Sequence, residues 1–285
     1  MNVHILADSA CDLPLQFFKD ENVTLIPLGV HVNGQEYEDL VAINPKEVYQ
    51  AIKQGQTPKT SQASPLKLKE IFTDMAKKGT EGLYVAFSSE LSGTYQTSVM
   101  VANEVKEEFP DFHLSIIDSK AASLGYGLAV VRAAELSAKG LPLAELEAKV
   151  KTFCKHIEHL FTVHDLDYLA KGGRVSKASA FVGGLLNIKP LLDVEDGKLI
   201  PLEKIRGKKK VFRRMIELMG ERGKDLSQQT VAISHGDDEQ TAAEVKEMIE
   251  EAFSPKKVII NPIGAAVGSH SGPGTIAVFF LNESL

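Results

Sequence analysis

The sequence predicts an α/β protein in two parts, a parallel-sheet α/β domain over residues 1–157 and an α+β domain with a mixed sheet over residues 158–285. In the first part, short and nearly continuous apolar runs alternate with segments of helical periodicity, which is typical of buried parallel strands joined by helices. In the second part, hairpin signals are mixed with helices. A chain of 285 residues, 44% hydrophobic and 25% charged, is long enough for two domains with full cores.

The elements of the first part follow from apolar periodicity and from helix start and stop signals. Strands are expected at residues 3–7, 23–28, 83–87 and 114–117. Helices are expected at 14–20, 45–54, 65–78, 94–109 and 124–138, several of them opened by proline and closed by glycine. The pair Asn33-Gly34 within residues 30–37 predicts a small hairpin inserted between these elements.

A predicted helix at 143–156 ends the first part, and the second part begins with a strand at 160–164. Residues 188–194 and 198–205 flank Glu195-Asp196-Gly197, which predicts a hairpin. A basic helix at 208–219, a strand at 231–234, an acidic helix at 239–253 and strands at 258–261 and 276–281 complete the chain. A further helix is expected to begin at Ser176.

Composition excludes several classes of function. The net charge of −6 argues against general nucleic-acid binding, because an acidic protein is repelled by a phosphate backbone. Cys11 and Cys154 lie far apart in no metal-ligand spacing, which indicates two buried free thiols, and His156 and His159 are interpreted as a solvated helix end rather than a metal pair. The free thiols, with neither a signal peptide nor a run of about 20 apolar residues, lead us to expect a cytoplasmic protein. Because the sequence shows no metal-ligand spacing and no nucleotide-binding motif, we expect no metal or cofactor.

Small hydroxyl side chains collect after the predicted parallel strands, where the loops of an open α/β sheet form a crevice. Asp8-Ser9, residues 88–95 and Asp118-Ser119 each follow a strand, and residues 57–64 precede a helix. Such a rim suits a carboxylate or a phosphate. For Ser64 before Pro65, and for Ser9 or Asp12 before the helix at Pro14, capping of the helix N-terminus is the favoured interpretation. For Thr60, Ser61 and Ser92 a ligand role and a capping role remain open.

Two glycine-rich segments carry single chemistry-bearing side chains. Residues 264–275 surround His270 with four glycines and Pro273, which predicts a rigid turn that presents the imidazole closely to a ligand. The central residue is histidine, so this segment is not the serine nucleophile elbow of a hydrolase. Arg174 follows Gly172-Gly173, and it is either a surface arginine or a guanidinium beside an anion site.

Together these motifs resemble the DegV family, in the same order and spacing from end to end. The resemblance rests on Asp8-Ser9 with Asp12-Leu13, Thr60-Ser61-Gln62-x-Ser64-Pro65, Ser88-Ser89-x-Leu91-Ser92-Gly93-Thr94, Asp118-Ser119, Leu169-x-Lys171-Gly172-Gly173-Arg174 and Gly268-x-His270-x-Gly272-Pro273-Gly274. One departure is Ala63, which stands where the family pattern has proline.

The resemblance implies a two-domain, non-enzymatic lipid carrier that is the fatty-acid-binding subunit of a bacterial fatty acid kinase, with its ligand between the domains. By motif, the hydroxyls of Thr60 and Ser92 bind the carboxylate of one long-chain fatty acid. His270 joins that network, Arg174 lies near it, and Ser61 and Gly93 are neighbours. The resemblance further implies a separate ATP-binding subunit that forms the acyl-phosphate for phospholipid synthesis, and the absence of a phosphate-binding loop motif in this chain agrees with that.

Three further expectations accompany this interpretation. The basic run at residues 204–214 is a solvated helix face or a docking face, and Arg206, Lys208 and Lys209 are the candidates for contact with the kinase subunit or, transiently, with membrane lipid. A phosphotransferase component for another small molecule is the first alternative function. A hydrolase that uses Ser92 with His270 is the second, although no orienting acid is evident.

Overall fold

The computed structural model describes residues 2–175 and 187–285. The strands are β1 (His4–Asp8), β2 (Thr24–Ile26), β3 (Gly29–Val32), β4 (Gln35–Glu38), β5 (Lys59–Ser61), β6 (Gly82–Ala86), β7 (Leu114–Asp118), β8 (Ile157–Thr162), β9 (Ile188–Glu195), β10 (Lys198–Arg206), β11 (Thr230–His235), β12 (Lys257–Pro262) and β13 (Ile276–Leu281). The helices are α1 (Leu15–Asp20), α2 (Pro45–Lys53), α3 (Pro65–Lys77), α4 (Thr94–Glu108), α5 (Ser123–Ala138), α6 (Leu143–Lys155), α7 (Asp167–Lys171), α8 (Lys208–Arg222), α9 (Glu239–Phe253) and α10 (Ala265–Ser271). The helix expected to begin at Ser176 lies outside the described residues.

The first half of the chain forms a four-stranded parallel sheet in the order β2-β1-β6-β7. Its strands are short and its central strand β6 is buried along its whole length, as continuous apolar runs predict. The parallel strands all end at one edge, and the hydroxyl-rich loop at residues 88–93 leaves β6 at that edge. The predicted parallel-sheet domain is confirmed in its fold class.

A three-stranded antiparallel sheet in the order β4-β3-β5 is formed by the part of the chain between β2 and β6 of the parallel sheet. Its β3–β4 hairpin turns at Asn33-Gly34 as predicted. Strand β5 was not predicted, because Lys59–Ser61 is three polar residues with no apolar alternation. Its pairing with β3 sets Thr60 opposite Val30 and Ser61 opposite Gly29, so this sheet fixes the position of both hydroxyls.

The second half forms a six-stranded mixed sheet in the order β10-β9-β8-β13-β11-β12. Only β11 and β12 pair in parallel; the other neighbours are antiparallel, as in the predicted α+β domain. Strand β8 begins at Ile157, three residues before the predicted strand. His159 is therefore a buried strand residue, and the interpretation of His156 and His159 as a solvated helix end was wrong for His159.

The two sheets share one continuous apolar core. Helix α5 contacts β1 and β6 of the parallel sheet and β11 and β13 of the mixed sheet. One cluster of buried side chains extends from Ile5 and Val85 to Phe161 and Phe279, while a second, smaller cluster lies within the C-terminal half against α8 and α9. The boundary between residues 157 and 158 stays a prediction.

The glycine-rich segment around His270 is a helix in its first part, and the expectation of a turn throughout was wrong. Helix α10 spans Ala265–Ser271, and the turn begins only at Gly272, whose φ of 73° is accessible to glycine. Gly268 faces the Tyr49 ring of α2 so closely that an added Cβ would lie 2.6 Å from the phenol oxygen. The glycine here serves helix packing.

Two buried carboxyl groups from the first half cap the N-terminus of α10. Asp12 Oδ1 accepts a hydrogen bond from the Gly264 amide at 2.9 Å, and Asp39 Oδ1 accepts from the Ala265 amide at 3.1 Å. Because the first amides of a helix have no partner within the helix, these two carboxyls supply it. The Tyr49 hydroxyl adds a bond to the Ile263 carbonyl at 3.0 Å.

The expectation that Ser9 or Asp12 caps the helix at Pro14 was therefore wrong. Pro14 itself precedes α1 with no side-chain cap, and the Ser9 hydroxyl instead accepts from the Leu28 amide at 3.1 Å. Ser64 occupies the N-cap position of α3 but makes no capping hydrogen bond through its side chain. Asp12 and Ser9 thus bond to parts of the chain that are distant in sequence, instead of capping the helix next to them.

Burial raises the pKa of Asp39 to about 6, which predicts a pH-dependent effect of Asp39→Asn. A folded-state pKa above the ordinary carboxyl value means that the contribution of Asp39 to stability is present below about pH 4 and lost as pH rises through 6. Asparagine keeps the acceptor for Ala265 and carries no charge. We expect the free energy of unfolding of Asp39→Asn, relative to the parent, to rise by about 2–3 kcal/mol between pH 4 and pH 7.

Urea denaturation across this pH range measures the difference. Asp111→Asn, at an exposed carboxyl, is the matched control and should show no such trend. If the difference in the free energy of unfolding between Asp39→Asn and the parent does not change with pH, the pKa of Asp39 is not raised by burial as described.

Candidate functional site

A cavity of about 220 Å³ lies between the two sheets and is lined by both halves of the chain. All six side chains or glycines proposed as ligand contacts line it: Thr60, Ser61, Ser92, Gly93, Arg174 and His270. They come from β5, from the loop after β6, from the segment after α7 and from α10. The structure therefore brings together residues that are up to 210 positions apart in the sequence.

A hydrogen bond between the two halves marks the polar end of the cavity. The Thr60 Oγ1 and His270 Nε2 atoms are 2.7 Å apart. Ser92 Oγ lies 2.9 Å from Thr94 Oγ1, which also accepts from the Ala63 amide at 3.2 Å. Thus the hydroxyls of Thr60, Ser92 and Thr94 are held by partners within the protein.

His270 is a neutral imidazole in this environment. Burial and, to a lesser extent, the positive charge of the nearby Arg174 together lower its pKa to about 4. A Cβ added at Gly172 would overlap His270 Nδ1, so only glycine leaves room for the ring at this position. Within the described residues, then, His270 Nδ1 faces backbone rather than a carboxylate.

Arg174 is half-buried and oriented by backbone carbonyls. Its Nε donates to the Leu91 carbonyl at 3.2 Å, and its Nη1 donates to the Gly172 carbonyl. Over residues 2–175 and 187–285, no carboxylate forms an ion pair with this guanidinium. Arg174 is also the only formally charged side chain among the described residues that line the cavity. A cation so placed favours an anionic ligand.

Apart from this end, the cavity wall is mainly apolar. Ala277 and Phe279 of β13 and Thr275 before it point to the same face, because side chains two apart along a strand share a face. Opposite them on β8, Phe161 pairs with Ala277 and His159 with Phe279. The remaining apolar lining residues are Leu28, Phe87, Leu91, Ala122, Leu169, Val194, Leu199, Ile263, Ala266 and Val267.

The cavity extends along β13 from a polar end to an apolar end. Thr275 lies at the polar end, since its hydroxyl donates to the Ser271 and Gly272 carbonyls at 2.9 and 3.0 Å. Phe279, four residues further, lies about 14 Å away at the strand rise of about 3.4 Å per residue. His159 packs edge-on against Phe279 with ring centroids 5.3 Å apart, and burial lowers its pKa to about 4. These two rings form the apolar end.

Sequence reasoning missed some lining residues. Ser271 is the clearest, because its hydroxyl is buried in the cavity wall with no hydrogen-bond partner in the described chain. An unpartnered buried hydroxyl is costly and is expected to bind a polar ligand atom. The signal was its place next to His270, but a sequence cannot show that a serine lacks a partner. Gln62 and His159 also line the cavity.

Ser61 and Gly93 lie at the rim of the polar end. Ser61 Oγ is 3.3 Å from both His31 Nε2 and Glu36 Oε1, so it already has partners outside the cavity. Gly93 precedes α4, and an added Cβ would collide with the Gln62 amide. Both residues therefore shape the cavity entrance from the first half of the chain.

The basic surface of α8 is partly neutralised by acidic side chains. Lys208 Nζ lies 3.3 Å from Asp238 Oδ2 and also bonds the Thr241 hydroxyl. Arg206 and Lys209 are exposed, and neither forms an ion pair within residues 2–175 and 187–285. Of the three proposed docking residues, Lys208 is therefore the least available for contact with a partner, because its ammonium group already has an acidic partner.

The described hydrogen bonds do not join Ser92 to His270 as a hydrolase would require. Ser92 bonds Thr94, and His270 bonds Thr60. In the described part of the chain, no three His, Cys, Asp or Glu side chains are grouped so as to hold a metal ion. Nor does any helix there have the length and apolarity needed to cross a membrane. Cys11 is buried and Cys154 half-buried, and both are free thiols.

Comparison with known proteins decides the family. The family model described as an uncharacterised protein of the DegV family matches residues 2–283. The chain belongs to the DegV family. A DegV domain-containing protein of Clostridium perfringens is 38% identical over 283 residues, which cover 98% of this chain and 97% of that protein.

Solved structures of related proteins share the fold. A fatty-acid-binding DegV protein of Thermus thermophilus superposes with a TM-score of 0.90 at 30% identity and covers 98% of this chain and 99% of its own. A stearic-acid-binding protein of Eubacterium ventriosum gives a TM-score of 0.89 at 27% identity, with 99% and 100% covered. The DegV-like fold predicted from the sequence is confirmed.

The environment of His270 predicts its titration. We expect the imidazole to stay neutral from pH 8 to about pH 5 and to titrate near pH 4, because burial and Arg174 both disfavour its charged form. Arg174→Gln removes the second cause and should move the midpoint to higher pH. Imidazole ¹H–¹⁵N NMR of the parent and the variant measures both midpoints.

Arg213→Gln, at an exposed arginine of α8, serves as the control and should leave the His270 midpoint unchanged. An ordinary midpoint near 6.5 in the parent would show that the imidazole is not enclosed as described.

Proposed function

We propose that this protein binds one long-chain fatty acid, with the tail in the apolar part of the cavity and the carboxylate at Thr60, Ser92, Arg174 and His270. The single observation that carries the proposal is the cavity itself, which is apolar along β8 and β13 and has one cation and several hydroxyls at one end. The fatty-acid ligands named for the Thermus thermophilus and Eubacterium ventriosum proteins support the same ligand class.

The polar end is suited to a carboxylate. Removing an anion from water costs several kcal/mol unless hydrogen-bond donors replace the lost solvent. Thr60, Ser92 and Ser271 supply hydroxyl donors, and Arg174 supplies a positive charge that no described carboxylate neutralises. Neutral His270 bonds Thr60, so it fixes the direction in which that hydroxyl faces.

The apolar part supplies the driving force for binding. Burial of about 15 methylene groups at roughly 0.8 kcal/mol each gives on the order of 10 kcal/mol before the costs of ordering. Phe87, Phe161 and Phe279 contribute aromatic surface to this wall. A tail of this kind has no polar atoms, which agrees with the side chains that surround it.

We further propose that the bound carboxylate is presented to a separate, ATP-binding fatty acid kinase subunit, and that the resulting acyl-phosphate serves phospholipid synthesis. Thr60, Arg174 and His270 line a second, solvent-facing cavity as well, so the head group lies close to the protein surface. The proposed docking residues are Arg206 at the end of β10 and Lys208 and Lys209 at the start of α8. In this arrangement the chain is a binding subunit with its site between domains 1–157 and 158–285.

Native mass spectrometry of gently purified protein tests the ligand class, because a retained fatty acid should appear as added mass. We expect Thr60→Val and Ser92→Ala to weaken fatty-acid binding by about tenfold or more, since a hydrogen bond to a charged group contributes about 1.5–3 kcal/mol. Isothermal titration with palmitate or oleate measures the change.

Thr152→Val removes a hydroxyl that only bonds its own helix, and it should bind like the parent. Parent protein that carries no fatty acid and gains no thermal stability from added palmitate or oleate would exclude the proposed function.

The apolar end predicts a change in ligand size. A Cβ added at Gly125 of α5 would lie 2.5 Å from His159 Nε2 and 2.7 Å from Phe279 Cδ1. Gly125→Ala should therefore push these rings into the cavity and shift the bound fatty acids towards shorter chains. Mass spectrometry of ligands extracted from the parent and the variant gives the two distributions.

Gly220→Ala, on α8, is the control, because its Cβ would lie 3.5 Å from Phe253 in ordinary contact. An unchanged chain-length distribution in Gly125→Ala would mean that the tail does not reach the His159–Phe279 pair.

A further inference from the structure

The apolar end of the fatty-acid cavity includes a histidine, His159 of β8. It lies opposite Phe279 in the pairing of β8 with β13, and the two rings pack edge-on with centroids 5.3 Å apart. Enclosing an alkyl tail requires only apolar surface, which Phe161 and Ala277 supply in the same wall. The two nitrogens of His159 therefore add polarity where an alkyl tail requires none.

One nitrogen of this ring has a hydrogen-bond partner and the other has none. The Ala122 amide donates to Nε2 at 3.4 Å, so Nε2 is an acceptor. Burial lowers the pKa of His159 to about 4, and the Ile157 carbonyl opposes this only in part, so the ring is neutral and carries its proton on Nδ1. Nδ1 is buried and forms no hydrogen bond with any group in residues 2–175 and 187–285.

The orientation of Nδ1 follows from the contacts of the other edge of the ring. A Cβ added at Gly125 would lie 2.5 Å from His159 Nε2 and 3.0 Å from Cδ2, so that edge faces α5. The edge that carries Nδ1 is turned away from α5. Because His159 lines the cavity, this is the polar edge of the ring that a ligand can meet.

The depth of His159 in the cavity defines the part of the tail beside it. Thr275, at the polar end, and Phe279 are about 14 Å apart along β13. An extended alkyl chain with carbon–carbon bonds of about 1.5 Å advances about 1.3 Å per carbon. The His159 ring, opposite Phe279, therefore lies roughly eleven carbons from the carboxylate.

We propose that His159 is a specificity-determining residue whose Nδ1–H donates to a hydrogen-bond acceptor on the tail, about eleven carbons from the carboxylate. The acceptor is the π electrons of a cis double bond or the oxygen of a keto group, since each receives an N–H and needs no further partner. A saturated, unsubstituted tail leaves this buried donor without a partner, which is unfavourable. The selectivity rests on the proposed function and adds the chemical class of the tail to it.

Three fatty acids of equal length test the donor: stearate, cis-vaccenate with its double bond after the eleventh carbon, and the stearate derivative with a keto group at the twelfth. His159→Phe keeps a ring beside Phe279 and removes the donor. We expect the affinity for the keto acid, relative to stearate, to fall by about tenfold, because the buried carbonyl loses its donor. The relative affinity for cis-vaccenate should fall by about two- to threefold, because a hydrogen bond to π electrons is weaker. Isothermal titration measures all three ligands.

His113→Phe, at an exposed histidine just before β7, is the matched control and should keep the relative affinities of the parent. A second measurement needs no variant. In ¹H–¹⁵N NMR spectra of the parent, the Nδ1–H signal of His159 should lie further downfield with the keto acid bound than with stearate bound.

A fall in relative affinity for either the keto acid or cis-vaccenate in His159→Phe supports the assignment and identifies the acceptor. Relative affinities for both acids that are equal in the variant and the parent would overturn it and leave the proposed function intact. If the variant does not fold, equal Nδ1–H chemical shifts with all three ligands would overturn it instead. A parent protein that binds none of the three fatty acids would overturn both the assignment and the proposed function.

Discussion

The capping of α10 by Asp12 and Asp39 is the contact on which the arrangement of the site depends. Helix α10 belongs by sequence to the C-terminal half, yet its first amides bond carboxyl groups of the N-terminal half. His270 lies near the other end of this seven-residue helix, so a displacement of the N-terminus would displace the imidazole. The two carboxyls therefore align the halves of the protein and set the position of the histidine at once.

The position of Thr60 is fixed in a different way, by pairing of β5 with β3. The hydrogen bond from Thr60 to His270 thus connects an element held by a sheet to an element held by buried caps. Thr60 cannot move unless β5 shifts relative to β3, and His270 cannot move unless α10 shifts relative to its two caps. This explains how a polar site can be ordered between two sheets although its residues come from distant parts of the chain, since the elements that carry Thr60 and His270 are each held by hydrogen bonds outside the site.

Most of the fold could be predicted from the sequence, because β1, β6, α9 and β13 have strong periodicity and clear end signals. Strand β5 could not, since its three residues are polar and its stability comes from β3. Helix α10 could not, since a segment rich in glycine has low helix propensity and its caps lie more than 220 residues away. The six proposed ligand contacts could be named because their motifs resemble those of the DegV family, and all six line the cavity. The missing partner of Ser271, by contrast, depends on packing that periodicity does not reveal.

The charges of the site follow from the same burial that forms its apolar wall. A buried imidazolium beside Arg174 would be unfavourable, so His270 is neutral and can bond Thr60 without adding a second charge. Arg174 keeps its charge because guanidinium cannot be deprotonated in proteins and because backbone carbonyls of Leu91 and Gly172 satisfy part of it. A single net positive charge at the end of an apolar cavity supports the proposed ligand class, because such a ligand has one anionic end and a long apolar remainder.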